Sequence, residues 1–394
     1  MTDTQHTTEP QAASVATPKR RFTIGLPAAP AGSAERRFPL TPEGVRMLVD
    51  RGFSVMLEAG AAAPIHYSDA AYTRCGAQIV SRTQALGADI VISLTNPAPA
   101  DIAAMRRGAM LLTLLGTGTL TRPAAAAMLE RGILAVAADL IADDHGHLPF
   151  ADILSEIDGR AAIAMASSLL ADSRTGKGIL LGGIAGIIPC EVTIIGSGIA
   201  AVAAARSALG LGAIVKMFDN NAYSLRAASR DLGPAVIGSA LHEKVLDSAL
   251  RSADVIVVTS AVPAGTAVQA DAVDSLKKGV LAFDLTPNPG AFFPALPHVS
   301  LADRLASEPD AAQRRVCFTN AGNAVPRTAA MALSNCFITM LRSVVTCEGL
   351  TNALRLTPGL RRGVITFFGK ITNPDVARLM HSRATDIDIF LQLC

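Results

Sequence analysis

The stretch that most constrains this chain runs from Gly178 to Ala205, where Glu191 is the only charged residue. A run this long and apolar is either a membrane span or a buried strand feeding a buried helix. Its breakers decide between the two. Gly178, Gly182, Gly183, Gly186, Gly196, Gly198 and Pro189 all fall inside it. The last two glycines stand between the β-rich EVTIIG (191–196) and an alanine-rich segment. That order marks a buried strand, a glycine turn and a helix, so no membrane span is expected.

The rest of the chain repeats the theme. Strand-like runs are expected at 21–27, 53–58, 77–80, 88–94, 109–115 and 133–139, with helical patterns between them. Thr41 and Pro42 supply an N-cap and a first-turn proline for the first helix. Ser155 is expected to begin a long alanine-rich helix. A second set of strands follows at 191–196, 213–219, 235–239, 254–261 and 280–285, and a second long helix from about Val325 to Val345. Alternation of this kind implies parallel crossovers. The expected class is α/β: two doubly wound, Rossmann-like parallel-sheet domains with an interdomain cleft, joined by two long helices. Residues 1–20, polar and without an apolar core, are expected to be a disordered tail and not a secretory signal. Residues 21–152 with 328–394 are read as a substrate domain, and 153–327 as a nucleotide-binding domain.

Composition removes several function classes. The 394 residues include no Trp, 3 Tyr and 13 Phe, too few aromatics for a base-stacking surface. A net charge of +2 offers no footprint for a polyanion, so no nucleic-acid partner is expected. The six cysteines (Cys75, Cys190, Cys317, Cys336, Cys347 and Cys394) form no Cys-x-x-Cys pair. They read as buried thiols of a reducing compartment, and a cytoplasmic location is expected. The Asp143–His147 segment reads as a turn without a third ligand element, so no metal is expected.

The glycine turn carries the clearest chemistry. Gly196 permits the tight turn, Gly198 lets backbone approach a pyrophosphate, and Ala201 permits close helix–strand packing. Ser197 and Ile199 complete the turn and bring free amides and the positive end of the helix dipole to a phosphate. Asp219 ends the next strand, where a carboxylate accepts from a ribose 2′-hydroxyl and repels a 2′-phosphate. The expected cofactor is therefore NAD, with Arg226 nearby as a positive charge that works against that preference.

The chain resembles the family of alanine dehydrogenases and the nucleotide-binding subunit of proton-translocating transhydrogenases. The resemblance is carried by ERRFPLTP (35–42), LSEIDGR (154–160), GKGILLGGIAG (176–186), the glycine turn, AFDL (282–285) and NAGNAVP (320–326). The ending FFGKITN (367–373) is closer to alanine dehydrogenase. The resemblance implies two α/β domains, the first completed by the C-terminal segment, and a homo-oligomer. It also implies site residues. Arg37 falls where the dehydrogenases grip the substrate carboxylate. Thr95 stands in place of their lysine, Gly116 in place of their acid–base histidine, and Asn288 in place of the aspartate beside the nicotinamide. Ser155, Ser260, Ala261 and Asn320 join the cofactor set, with the backbone at Ser260–Ala261 flanking the nicotinamide.

One of four polar catalytic groups thus remains. Loss of the histidine removes the group best suited to proton transfer near neutral pH. His66 with Tyr67, and Asp139 at a strand end, are replacement candidates. The expected function is an NAD(H)-dependent oxidoreductase acting at a C–N bond of an amino acid, imine or related carbonyl compound other than alanine. The substrate is a small molecule carrying a carboxylate. A non-catalytic NAD-binding regulatory or partner protein is the alternative, and hydride exchange between nucleotides a third reading.

Overall fold

The structure is a computed structural model that describes residues 22–116, 118–261, 266–306, 315–346 and 350–393. The expected tail at 1–20 lies outside the described residues. Strands β1 (Thr23–Leu26), β2 (Ser54–Glu58), β3 (Gln78–Val80), β4 (Ile90–Ile92), β5 (Met110–Thr113) and β6 (Leu134–Ala137) form most of one sheet. Strands β7 (Glu191–Ile195), β8 (Ile214–Phe218), β9 (Val236–Ser239), β10 (Val255–Val258), β11 (Leu281–Asp284), β12 (His298–Ser300) and β13 (Cys317–Thr319) form the other. The central strands β4, β5, β6 and β10 are buried along their whole length, which is why they read as continuous apolar runs.

Two late strands, β14 (Val364–Phe367) and β15 (Lys370–Ile371), return to the first sheet. Its order is β15-β14-β6-β5-β4-β1-β2-β3, and that of the second is β12-β13-β11-β10-β7-β8-β9. The second sheet is parallel throughout, as expected. The first is not, because β14 runs antiparallel to β6 and β15 antiparallel to β14. The short turn between β14 and β15 permits only antiparallel pairing. At the irregular β14–β6 register, the buried Thr366 hydroxyl accepts from the Ala135 amide at 3.3 Å and donates to the Ile133 carbonyl at 3.0 Å. It completes the backbone bonding there.

Two long helices, Pro149–Ala171 and Pro326–Thr346, run between the sheets and meet edge to face at Phe150 and Phe337, with ring centroids 4.8 Å apart. The first begins at Pro149 and not at Ser155. Proline already holds the dihedral angle of a first helical turn, and Phe150, Leu154 and Ile157 continue one buried face from there. Ser155 therefore lies inside the helix. This helix packs on Ile199–Gly210 through Gly159, where a Cβ would lie 2.2 Å from the Ala200 carbonyl oxygen. Alanines 201, 204, 205 and 208 are buried in the same core, so the aromatic-poor composition is spent on close helix packing. No described helix is long and apolar enough to cross a membrane. The Gly178–Ala205 stretch resolves into an irregular loop, β7, a turn and a helix.

Candidate active site

The order of the second sheet reverses at β7, between β10 and β8. Crevices at such switch points take ligands at the carboxyl ends of the strands. Gly196 leaves β7 at φ 109°, a left-handed conformation that favours glycine. A Cβ there would lie 2.4 Å from Thr259 Oγ1 and 2.7 Å from Ser260 Oγ. Gly198 precedes the 12-residue helix Ile199–Gly210, and no side chain caps its first amides. Gly198 and Ile199 are exposed, and a Cβ at Gly198 would meet nothing within 4 Å. Asp219 follows β8, where its Oδ2 accepts from Ser197 Oγ at 2.6 Å and its Oδ1 from the Asn221 amide at 2.8 Å. Each oxygen keeps a further acceptor direction for a ribose hydroxyl. Arg226 sits over the Tyr223 ring, 5.9 Å from its centroid. The glycine cradle, the uncapped helix start and the partly used carboxylate all fit a dinucleotide.

Asp219→Ala removes the acceptor. NADH affinity is expected to fall by roughly tenfold or more relative to NADPH, the loss typical of a hydrogen bond to a charged group. Fluorescence titration with both nucleotides checks the ratio.

A cleft of about 420 Å³ opens beside this crevice, between the carboxyl ends of the first sheet and the loop after β11. β11 lies two strands from β7, or about 10 Å at ordinary strand spacing. Arg37, Thr95, Ser155 and Asn320 all line the cleft, so four of the expected residues meet there. Arg37 and Arg36 part company. Exposed Arg36 pairs with Asp303 at 2.9 Å across the two halves. The Arg37 side chain is 12% exposed and holds Glu35 in a two-pronged pair at 2.7 and 2.6 Å. Burial alone would lower the Arg37 pKa, but the charge and hydrogen bonds of Glu35, with Asp158 and Asp139 behind, raise it instead. The guanidinium is a permanent cation, and Glu35 engages Nε and Nη2.

Thr95 is buried, and its Oγ1 has no hydrogen-bond partner among the described residues. A buried hydroxyl without a partner is costly, and Thr95 carries it at the cleft wall. Gly116 is also on the wall, and a Cβ there would lie 3.0 Å from Asp139 Oδ2. Asp139 accepts from the Leu115 and Gly116 amides at 2.9 and 2.6 Å. The carboxylate thus borders the space that a larger side chain at 116 would need.

Several expected residues fall outside the cleft wall. Asn288 is exposed and does not line the cleft, although its neighbours Pro287 and Pro289 do. Asp284, buried at the end of β11, holds that loop by accepting from the Thr286 and Gly290 amides and the Thr286 hydroxyl. His66 and Tyr67 also lie off the cleft wall, and the Arg327 guanidinium covers the Tyr67 ring at 4.4 Å. Ser260 sits beside the glycine turn, and neither it nor Ala261 is on this wall.

Sequence reasoning missed Asp158. It lines the cleft, and its Oδ1 accepts from the Gly322 amide at 2.6 Å. Burial pushes its carboxyl up, against the opposing pull of Arg37 and the Gly322 amide. Its helical spacing of three from Ser155 puts both on one face and was the available signal. Elsewhere, Asp143 closes a turn by accepting from the His145 and His147 amides. Ligand atoms of Asp284, His298 and Cys317 lie within 4.8 Å of one another. Burial and the charge of Asp284 push the Cys317 thiol up, and Asp284 already serves its loop, so this group reads as a loop anchor.

The family model for the alanine dehydrogenase/PNT N-terminal domain matches residues 28–157, and that for the C-terminal domain matches 162–374. The chain belongs to the alanine dehydrogenase/PNT family. Members of this family bind NAD(H). Alanine dehydrogenase of Bacillus subtilis (strain 168) is 30% identical over 348 residues, covering 87% of this chain and 91% of the relative. Alanine dehydrogenase of Mycolicibacterium smegmatis is 29% identical over 368 residues, covering 91% and 96%. Among solved structures, an L-alanine dehydrogenase superposes with a TM-score of 0.78 at 26% identity, covering 91% of this chain and 99% of that one. A transhydrogenase from Sinorhizobium meliloti shares the fold, with a TM-score of 0.71 at 20% identity and coverage of 90% and 99%.

Proposed function

We propose that this family member is an NAD(H)-dependent oxidoreductase acting at a C–N bond of an amino acid, imine or related carbonyl compound other than alanine. In this reading 21–152 with 328–394 form the substrate domain and 153–327 the NAD domain. The observation that carries it is the cleft wall at Thr95 and Gly116, where the resemblance assigns a lysine and a histidine. A wall of Thr and Gly leaves space and an unpartnered hydroxyl where alanine's charged and proton-transferring partners would stand.

The glycine turn at Gly196–Ala201, Asp219 and the backbone at Ser260–Ala261 hold NAD(H), which when bound supplies or accepts the hydride. Arg37 keeps N–H groups beyond those that Glu35 uses, and these meet a substrate carboxylate. The Thr95 hydroxyl donates to a substrate oxygen or accepts from its nitrogen. Asp139 carries the proton to or from the nitrogen at the side where the histidine is missing. Reduction of an iminium needs no proton from the protein, which suits a site with little acid–base apparatus. Asn288 has no contact with substrate in this reading.

The test is a titration with NADH and a panel of keto acids with ammonia or amines, and of cyclic imines, followed by absorbance loss and mass spectrometry. Turnover of a panel member other than pyruvate with ammonia is expected. Tight NADH binding with no product from any member would sink the enzyme reading and favour a non-catalytic NAD-binding protein.

The Gly178–Pro189 loop exposes Leu180, Ile184, Ile187 and Ile188, the last at 83%. Contiguous apolar exposure of this kind supports a homo-oligomer. Light scattering is expected to return a multiple of 40.7 kDa.

A further inference from the structure

The charges of the cleft do not balance. Its described walls carry the four carboxyl side chains of Glu35, Asp139, Asp158 and Asp284 against one basic side chain, Arg37. The positive ring of an oxidised nicotinamide offsets only one of the surplus. Three of the carboxyls have protein partners that account for them. Glu35 is held by Arg37, Asp139 by the Leu115 and Gly116 amides, and Asp284 by its own loop. Asp158 is different. Gly322 serves its Oδ1, and Oδ2, which is not among the buried atoms left without a partner, stays open to the cleft. On another part of the wall, the buried Thr95 Oγ1 lacks a partner. Asp158 Oδ2 is thus the carboxylate oxygen of this wall with no hydrogen bond to the described protein.

We propose that the cleft selects a substrate with a second, cationic nitrogen, which docks on Asp158 while Arg37 takes the carboxylate. The substrate class is a basic amino acid, or the imine derived from one, rather than a monoamino acid such as alanine. Asp158 is half-buried, and a neutral substrate that covers it further desolvates a charge only partly offset by Arg37 and the Gly322 amide, which costs binding. An ammonium or guanidinium removes that cost and adds a charge-assisted hydrogen bond. Arg37 and Asp158 then read the two ends of a zwitterion, and Thr95 Oγ1 takes a further polar atom of it. This inference rests on the reading of the cleft as a substrate site.

The experiment is calorimetry on the full chain saturated with NAD, using L-lysine and L-ornithine against L-norleucine and L-norvaline, the same carbon chains without the terminal nitrogen, with L-alanine as reference. The basic probes are expected to bind about tenfold tighter or more. Asp158→Asn is expected to abolish that preference, and Asp158→Glu to restore part of it. Equal binding of L-norleucine and L-norvaline, no binding by any probe, or an unchanged ratio in Asp158→Asn overturns the proposal. NAD-linked turnover read in parallel separates the two ideas. Turnover confined to uncharged substrates overturns the charge inference and keeps the oxidoreductase. Selective lysine or ornithine binding without any turnover does the reverse.

Discussion

Replacing Arg37 by alanine is expected to cost the fold about 3–5 kcal/mol, the usual result of removing one partner from a buried ion pair. Glu35 loses its only described hydrogen-bonding cation, and Asp158 loses the charge that opposes its desolvation. Asp158 then takes up a proton more readily folded than unfolded. Over the window above the ordinary carboxylate range, the folded variant binds more protons than the unfolded chain. Its stability therefore falls as pH rises through that window and recovers towards acid pH. Urea melts at several pH values read both the loss and its sign. The triple variant Arg37→Ala, Glu35→Gln, Asp158→Asn separates fold from function. It is expected to recover most of the stability, because no buried charge is left alone, and to recover none of the affinity for a carboxylate substrate. A stable Arg37→Ala with unchanged substrate affinity would show that Arg37 is no more than a wall residue.

Gly198→Val is expected to leave the melting temperature of the free chain within about a degree and to reduce NADH affinity roughly a hundredfold or more. The fold tolerates it because a Cβ at 198 meets nothing within 4 Å and the φ of −77° suits any residue. The cofactor does not, because the side chain fills the space through which a pyrophosphate reaches the first amides of the helix. Two charge-assisted hydrogen bonds at about 1.5–3 kcal/mol each account for that factor. Gly196→Val differs in kind. At φ 109°, with Thr259 Oγ1 2.4 Å from the new Cβ, it strains the chain with or without NADH. Thermal melts of both variants, with and without NADH, distinguish a blocked site from a broken turn. Loss of stability in Gly198→Val, or NADH binding retained in it, would remove the glycine turn from the cofactor site.

The strand–turn–helix of the proposed cofactor site was legible in the sequence because it is local. A strand, a turn and a helix within Glu191–Gly210 bring Gly196, Ser197, Gly198 and Ala201 together by chain geometry alone, and Asp219 directly follows the adjacent strand. The α/β class was legible for a similar reason, since strands buried on both faces must be apolar throughout. The direction of β14 and β15 was not, because pairing depends on which edge a late segment reaches. The substrate half was legible only in part. Arg37 and Thr95 do reach the cleft, but Asn288, placed at a site position by resemblance, is exposed and off the cleft wall. Asp158 stayed unseen because its meaning comes from Arg37, 121 positions away, and Gly322, 164 positions away. Local periodicity decides which elements form and where backbone meets a phosphate. Only the packing of distant elements decides which charges share a cleft, because burial and distance set whether a carboxyl is a solvated surface group or an unpaired charge awaiting a partner.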